Sequence, residues 1–199
     1  MQGSALVKIV TAILAGGAGQ RIGGAKPDRC LAGTSLLTHA VKAATGWGIP
    51  IVLVLRDPDQ VREGHCPVIL DDPDIPGPLG GLASALDWAE VNGVDCVLTL
   101  PCDMPFLPAD LLDRLNQALT GDMQVAVAAS GERLHPVCAL WRPSVRPVLI
   151  QRARAGQLSL NGLSGAVGRV VVDWPVEQRD PFLNINTRDD LDRAEAMTI

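Results

Sequence analysis

The β-branched run from Ile9 to Leu14 opens directly into Ala15-Gly16-Gly17-Ala18-Gly19-Gln20-Arg21-Ile22-Gly23-Gly24-Ala25-Lys26. An apolar run of that kind predicts a strand buried on both faces. Five glycines in the segment after it let the backbone approach a ligand closely and turn successive N–H groups inward, as an anion-binding nest. Arg21 and Lys26 add positive charge to the same segment. In open α/β sheets a loop at the carboxyl end of a strand is where ligands bind. The segment is not a Walker A loop, because Gly-Lys-Ser/Thr is missing, and its glycine spacing departs from the dinucleotide fingerprint. The alternative to a ligand cradle is a surface loop.

Further along, short β-branched runs alternate with amphipathic stretches, the pattern of βαβ units. Strands are expected at Ile51 to Leu55, Pro67 to Leu70, Cys96 to Leu100, Val125 to Ala128, Val137 to Trp141 and Val170 to Asp173. Helical spacing of apolar residues predicts helices over Ser35 to Thr45 and Leu79 to Glu90. A third is expected with Pro108 in its first turn and Leu111, Leu112, Leu115 and Leu119 on its buried stripe. Thr187 is placed to cap a closing helix with Asp189 and Asp190 in its first turn. These elements imply an α/β fold, a Rossmann-like three-layer α/β/α arrangement around a mostly parallel, mixed central sheet.

Composition narrows the function classes. The chain has 199 residues, enough for one domain over 1–199 with a full core. Its net charge of −5, with no Lys/Arg run, argues against nucleic acid as a partner. No stretch approaches the ~18 consecutive apolar residues of a membrane span. Met1 to Lys8 carries no secretory pattern, so a cytoplasmic location is expected. The five cysteines are odd in number and form no C-x-x-C pair, which predicts free thiols rather than zinc ligands or disulfides.

Several polar residues stand where strands are expected to end. Asp103 follows the Cys96 to Leu100 strand through Pro101-Cys102, at the sheet edge expected for the glycine loop. One strand-end carboxylate suits Mg²⁺, which takes few protein carboxylates and shares substrate phosphates. The competing role for Asp103 is to cap a turn or helix. Asp71 and Asp72 also end a strand, as ligand contacts or as solvated turn residues. Pro76-Gly77-Pro78-Leu79-Gly80-Gly81 leads into a helix whose first N–H groups are free to receive a base or phosphate, or makes a rigid turn. Asn184 and Asn186 alternate, so an extended backbone turns both amides to one side. His135 stands at a strand entrance, placed to meet a phosphate or to serve structure. His39, His65 and the tryptophans Trp47, Trp88, Trp141 and Trp174 show no catalytic or stacking pattern.

Leu-Ala-Gly-Gly-x-x-x-Arg-Ile-Gly-x-x-Lys, Leu14 to Lys26, resembles the signature of the nucleotidyltransferases that join an NTP to a phosphorylated acceptor. Among them it is most similar to the MobA-type molybdenum cofactor guanylyltransferases. Four further segments match that family in order. They are Asp71-Asp72 with Pro76 to Gly81, Leu100 to Pro108 around Asp103, His135 to Trp141, and Phe182-Leu183-Asn184-Ile185-Asn186-Thr187-Arg188-Asp189-Asp190-Leu191. One departure is Ala25, where the family usually carries Asp, and Pro27 follows the lysine. The missing carboxylate could loosen an ion pair that steadies the loop.

The resemblance implies the nucleotide-diphospho-sugar transferase fold, GTP and molybdopterin as substrates, Mg²⁺ as cofactor, and transient contact with proteins that deliver the molybdenum cofactor. It implies nucleotide contacts from Leu14, Ala15, Gly16, Gly17, Lys26, Asp71, Gly77 and Asp103, and metal binding by Asp103. Lys26, Arg21 and Asp103 are the implied catalytic residues. The acceptor side falls on His135, Asn184 and Asn186, where paired amides suit the donors and acceptors of a pterin. A cytidylyltransferase, a nucleotidyltransferase with another phosphorylated acceptor, and a nucleotide-binding relative without chemistry are the competing readings. Lys26→Ala is expected to lower turnover more than folding stability, checked by pyrophosphate release alongside thermal unfolding. Undiminished turnover in the folded variant removes Lys26 from the mechanism.

Overall fold

Strand pairing starts from the apolar run. In the computed structural model, which describes residues 7–16, 30–60 and 66–197, Ile9–Leu14 forms β1, an interior strand of a seven-stranded sheet. Its side chains alternate between two cores, Val10 and Ala12 on one face and Ile13 on the other, so the strand is apolar but for the buried Thr11. A short ladder of β2 (Cys30–Leu31) and β3 (Thr34–Ser35) precedes α1 (Leu36–Thr45), which Ser35 caps by accepting from the Thr38 N–H at 3.1 Å. β4 (Ile51–Leu55), β5 (Val68–Leu70), α2 (Pro78–Val91), β6 (Cys96–Pro101) and α3 (Leu111–Ala118) follow. The chain closes with β7 (Val125–Ser130), β8 (Arg133–Trp141), α4 (Arg146–Arg154), α5 (Leu160–Val167), β9 (Arg169–Trp174) and α6 (Arg188–Ala196).

The sheet order is β5-β4-β1-β6-β8-β7-β9. β1 pairs in parallel with β4 and β6, β4 with β5, and β7 with β9, while β8 alone runs antiparallel to its neighbours β6 and β7. Leu37 and Ala40 of α1 and Leu111 and Leu115 of α3 cover one face. Leu79, Leu82 and Leu86 of α2, Leu149 of α4 and Leu163 of α5 cover the other. The expected three layers and mixed sheet are present.

Three local expectations differ. The helix after Asp103 begins at Leu111, with Asp110 as its N-cap, rather than around Pro108. Pro105 and Pro108 hold the preceding residues away from helical geometry, and Asp110 is tied by the Trp174 indole N–H at 2.9 Å. The strands expected at Val125 to Ala128 and Val137 to Trp141 extend towards each other to form a hairpin around Gly131-Glu132, with φ of 50° and 63°. Two positive φ values match the right-handed twist of the strands, and a glutamate in that role hides the turn from sequence. Pro136 is accommodated within β8 because the β7 register shifts between Val127 and Ala128 opposite it. Helices α4 and α5 carried no strong apolar stripe: Leu149 alone is buried in the Arg-rich α4, and α5 contains Gly162 and Gly165.

The β7–β8 hairpin is locked to the segment after β9 by a buried polar chain. Ser130 Oγ donates to Asp180 Oδ1 at 2.8 Å and lies 2.8 Å from His135 Nε2. An ionised Asp180 only accepts, so the hydroxyl proton points to it and His135 Nε2–H donates to Ser130. The imidazole also stacks on Phe182 with centroids 4.6 Å apart. Burial pushes the His135 pKa below the ordinary 6.5; Asp180 opposes the shift and Arg133 adds to it. The unfolded chain therefore binds this proton at a higher pH than the native one, and stability falls as pH drops below 6.5. Thermal midpoints of wild type and His135→Gln, taken from about pH 8 to about pH 5, should converge on acidification. A constant difference would show that His135 is not charged on unfolding.

Candidate active site

Parallel pairing brings four chain exits to one edge of the sheet. Leu14 of β1 stands opposite Val54 of β4 and Pro101 of β6, and Leu55 opposite Leu70 of β5. The ladders run one step further: the Ala15 N–H donates to the Val54 carbonyl at 2.9 Å and the Asp71 N–H to the Leu55 carbonyl at 2.7 Å. Gly16, Arg56, Asp71 and Asp103 consequently leave the sheet side by side.

Asp71 sits between two glycines. A Cβ on Gly16 would stand 2.5 Å from Asp71 Oδ2 and 3.0 Å from the Arg56 nitrogen, and one on Gly81 would stand 3.0 Å from Asp71 Oδ1. Neither position has room for a side chain while the carboxylate stays in place. Gly80 is constrained likewise, because its Cβ would collide with the Ile75 carbonyl. Gly77, with φ of 76°, is the N-cap of α2 and adopts a backbone conformation that side chains disfavour. Leu14, Gly16, Arg56, Asp71, Gly77 and Gly81 contribute to a cavity of about 260 Å³ at this edge. Burial pushes the Asp71 carboxyl above the usual aspartate range, partly offset by the Arg56 guanidinium. The neighbouring Asp72 is turned to the backbone instead. Its Oδ1 accepts from the Asp74 N–H at 2.9 Å, and its carbonyl from the Ile75 N–H at 3.2 Å. Of the two adjacent aspartates, Asp71 lines the cavity and Asp72 builds the turn that leads to α2.

Asp103 is buried, 4% exposed, in the turn after β6. Its carbonyl accepts from the Ile185 N–H at 2.9 Å, which joins the β6 end to the segment carrying the two asparagines. Ile185 is fully buried between half-buried Asn184 and exposed Asn186. The Asn184 Oδ1 is buried and has no hydrogen-bond partner among the described residues. The segment is braced below by a capping box at α6, in which Thr187 accepts from the Asp190 N–H and Asp190 accepts from the Thr187 N–H. No cluster of three His, Cys, Asp or Glu occurs among the described residues. A lone strand-end carboxylate fits Mg²⁺, whose other ligands come from phosphates and water.

Leu14, Gly16, Asp71 and Gly77 line one cavity, Ala15 continues β1 beside them, and Asp103 follows β6 at the same sheet edge outside that lining, with Asn184 and Asn186 connected to it through Ile185. His135 turns inward, 4% exposed, onto Ser130 and Phe182; through Ser130 and Asp180 it supports the segment that leads to Asn184 and Asn186. Gly17, Arg21, Ala25 and Lys26 lie outside the described residues. Sequence reasoning passed over Arg56. The available signal was its place immediately after the Ile51 to Leu55 strand, at the edge where the other site residues emerge. No helix among the described residues is long and apolar enough to cross a membrane.

Comparisons with known proteins agree with this fold. A family model described as the MobA-like NTP transferase domain matches residues 11–169. A molybdenum cofactor guanylyltransferase from Rhodopseudomonas palustris (strain BisB5) is 39% identical, over 94% of this chain and 92% of the relative. One from Nitrobacter hamburgensis is 37% identical, over 93% and 92%. The crystal structure of molybdopterin-guanine dinucleotide biosynthesis protein A from Archaeoglobus fulgidus superposes with a TM-score of 0.75 at 25% identity, covering 95% of this chain and 98% of that one. A 4-diphosphocytidyl-2C-methyl-D-erythritol synthase from Anaerococcus prevotii shares the fold at a TM-score of 0.75 and 15% identity, over 96% of each chain. With its sheet edge assembled in this way and the family model spanning most of its length, the chain belongs to the MobA-like NTP transferase family.

Proposed function

We propose that this chain transfers GMP from GTP to the terminal phosphate of molybdopterin, giving the guanine dinucleotide cofactor and pyrophosphate. The observation that carries the reading is the Asp71 carboxylate held between Gly16 and Gly81 in a cavity at the carboxyl edge of β1, β4 and β5. Relatives of nearly the same length bearing the guanylyltransferase name supply the substrate class.

In the transfer, an oxygen of the acceptor phosphate attacks the α-phosphorus of GTP. A new P–O bond forms, the bond from the α-phosphorus to the bridging oxygen of the β-phosphate breaks, and pyrophosphate carries away the electron pair. The nucleophile is already an anion near neutral pH, so no covalent enzyme intermediate is needed. Catalysis then consists of positioning and charge neutralisation. The base enters the cavity beside Asp71, and the amides of Ala15 and Gly16 begin the phosphate cradle that Gly17 continues. Arg21 and Lys26 neutralise the triphosphate. Asp103 would hold Mg²⁺, which supplies further charge neutralisation on the phosphates when bound. The Asn184 Oδ1, which has no partner among the described residues, and the Asn186 amide receive the pterin, and His135 keeps that segment in place through Ser130 and Asp180. The cytoplasm is the compartment in which these substrates would be met.

Two measurements test the reading. A thermal-shift panel with GTP, CTP, ATP and UTP, each with and without Mg²⁺, should give a Mg²⁺-enhanced shift for GTP alone, since a ligand of the folded state raises the midpoint by mass action. A preference for CTP would reassign the chain as a cytidylyltransferase. GTP binding without pyrophosphate release, when molybdopterin is supplied, would make it a non-catalytic relative.

In Gly16→Ala the new Cβ forces the Asp71 carboxylate to move. That variant should stay folded and lose roughly tenfold or more in GTP affinity, the loss of about 1.4 kcal/mol. Calorimetric titration that finds unchanged affinity would remove the Gly16–Asp71 contact from the nucleotide site.

A further inference from the structure

The cavity between β1 and α2 holds two opposite charges. Among the described residues that line it, Arg56 and Asp71 are the charged ones, and the rest are apolar side chains, glycines and prolines. Arg56 and Asp71 line the same cavity, and the positive charge of Arg56 partly offsets the rise of the Asp71 carboxyl. Its backbone is fixed in advance. Gln60 Oε1 accepts from both the Arg56 N–H at 2.8 Å and the Asp57 N–H at 3.1 Å, closing the turn at Pro58–Gln60. On the other side, the Arg56 nitrogen lies where a Gly16 Cβ would reach within 3.0 Å. An arginine clamped at its backbone can present its fork with less ordering cost on binding.

We propose that Arg56 is a specificity-determining residue that reads the O6/N7 edge of guanine while Asp71 takes the N1–H and N2–H donors. The proposal rests on the guanylyl-transfer reading and adds to it a residue for base choice. Guanine alone presents two adjacent donors to a carboxylate and two adjacent acceptors to a guanidinium. Cytosine and adenine each offer one exocyclic amine to Asp71, so one carboxylate oxygen would face a ring-nitrogen lone pair or nothing. An Asp–Arg pair in an otherwise apolar cavity therefore favours guanine and rejects the others. An unmatched group at Asp71, already partly removed from water by burial, sharpens the rejection.

The test is calorimetric titration of wild type, Arg56→Ala and Arg56→Lys with GTP, CTP and 7-deaza-GTP, which lacks the N7 acceptor. Arg56 is exposed, so both variants should melt with the wild type. Wild type should bind 7-deaza-GTP more weakly than GTP. Arg56→Ala should lose roughly 5- to 150-fold in GTP affinity, the range of one bidentate base contact, and should bind GTP and 7-deaza-GTP alike. Arg56→Lys keeps the charge without the fork and should recover only part of the loss. Equal losses for GTP and CTP in Arg56→Ala would make Arg56 a phosphate contact and overturn the proposal. A wild type blind to N7, or an Arg56→Ala variant with full GTP affinity, would overturn it too, leaving guanylyl transfer standing. Preference of the wild type for CTP, or no nucleotide binding, would overturn guanylyl transfer and Arg56's role with it.

Discussion

The Asp71 carboxylate occupies space that two absent side chains leave open, and much of the cleft is arranged around that fact. Gly16 stands two residues past β1 and Gly81 lies in α2, so the contact brings the exit of an interior strand and the first turns of a helix against one functional group. The carboxylate itself arrives from a third element, one residue past β5, on a backbone hydrogen bond that continues the sheet ladder. Placing a charged group there costs solvation, which is why its proton is held more tightly than in an ordinary aspartate. Arg56 returns part of that cost from a fourth element, and the cavity inherits a carboxylate and a guanidinium in a mostly apolar setting.

The parallel half of the sheet was readable because its strands obey simple rules. Ile9 to Leu14, Ile51 to Leu55 and Cys96 to Leu100 are apolar runs broken only by Thr11 and Thr99, and a strand buried on both faces shows no polar alternation. Glycine spacing and strand-end aspartates then marked the edge on which chemistry would collect. Resemblance to a family supplied the residues' roles and the identity of the substrates, which patterning alone does not contain. It also weighted Asp71 over Asp72, and the structure gives the physical difference: Asp72 spends its side chain on the Asp74 amide.

The less legible parts are those in which tertiary contacts overrule local preference. Glu132 takes a left-handed backbone conformation that asparagine or glycine would have advertised. Pro136 sits in a strand interior because the partner register slips beside it. α4 and α5 are short helices whose burial depends on the sheet face they cover rather than on a stripe of their own. His135 could be placed on a strand but not assigned a direction, since its inward turn depends on Ser130, Asp180 and Phe182, the last two far away in sequence. Arg56 had no motif around it at all.

The hydrogen bond from the Ile185 N–H to the Asp103 carbonyl joins the two halves of the cleft through a single peptide group. Asp103 belongs to the side proposed for the nucleotide, and Ile185 separates the two amides proposed for the acceptor. A ligand that shifts the Asp103 backbone by drawing on its carboxylate moves the peptide to which Asn184 is attached. Linkage requires the converse with equal weight, so any gain in affinity that one substrate confers on the other is returned by the same factor. Through that peptide the order in which two substrates arrive can alter the path to the ternary complex, while its total free energy stays the same.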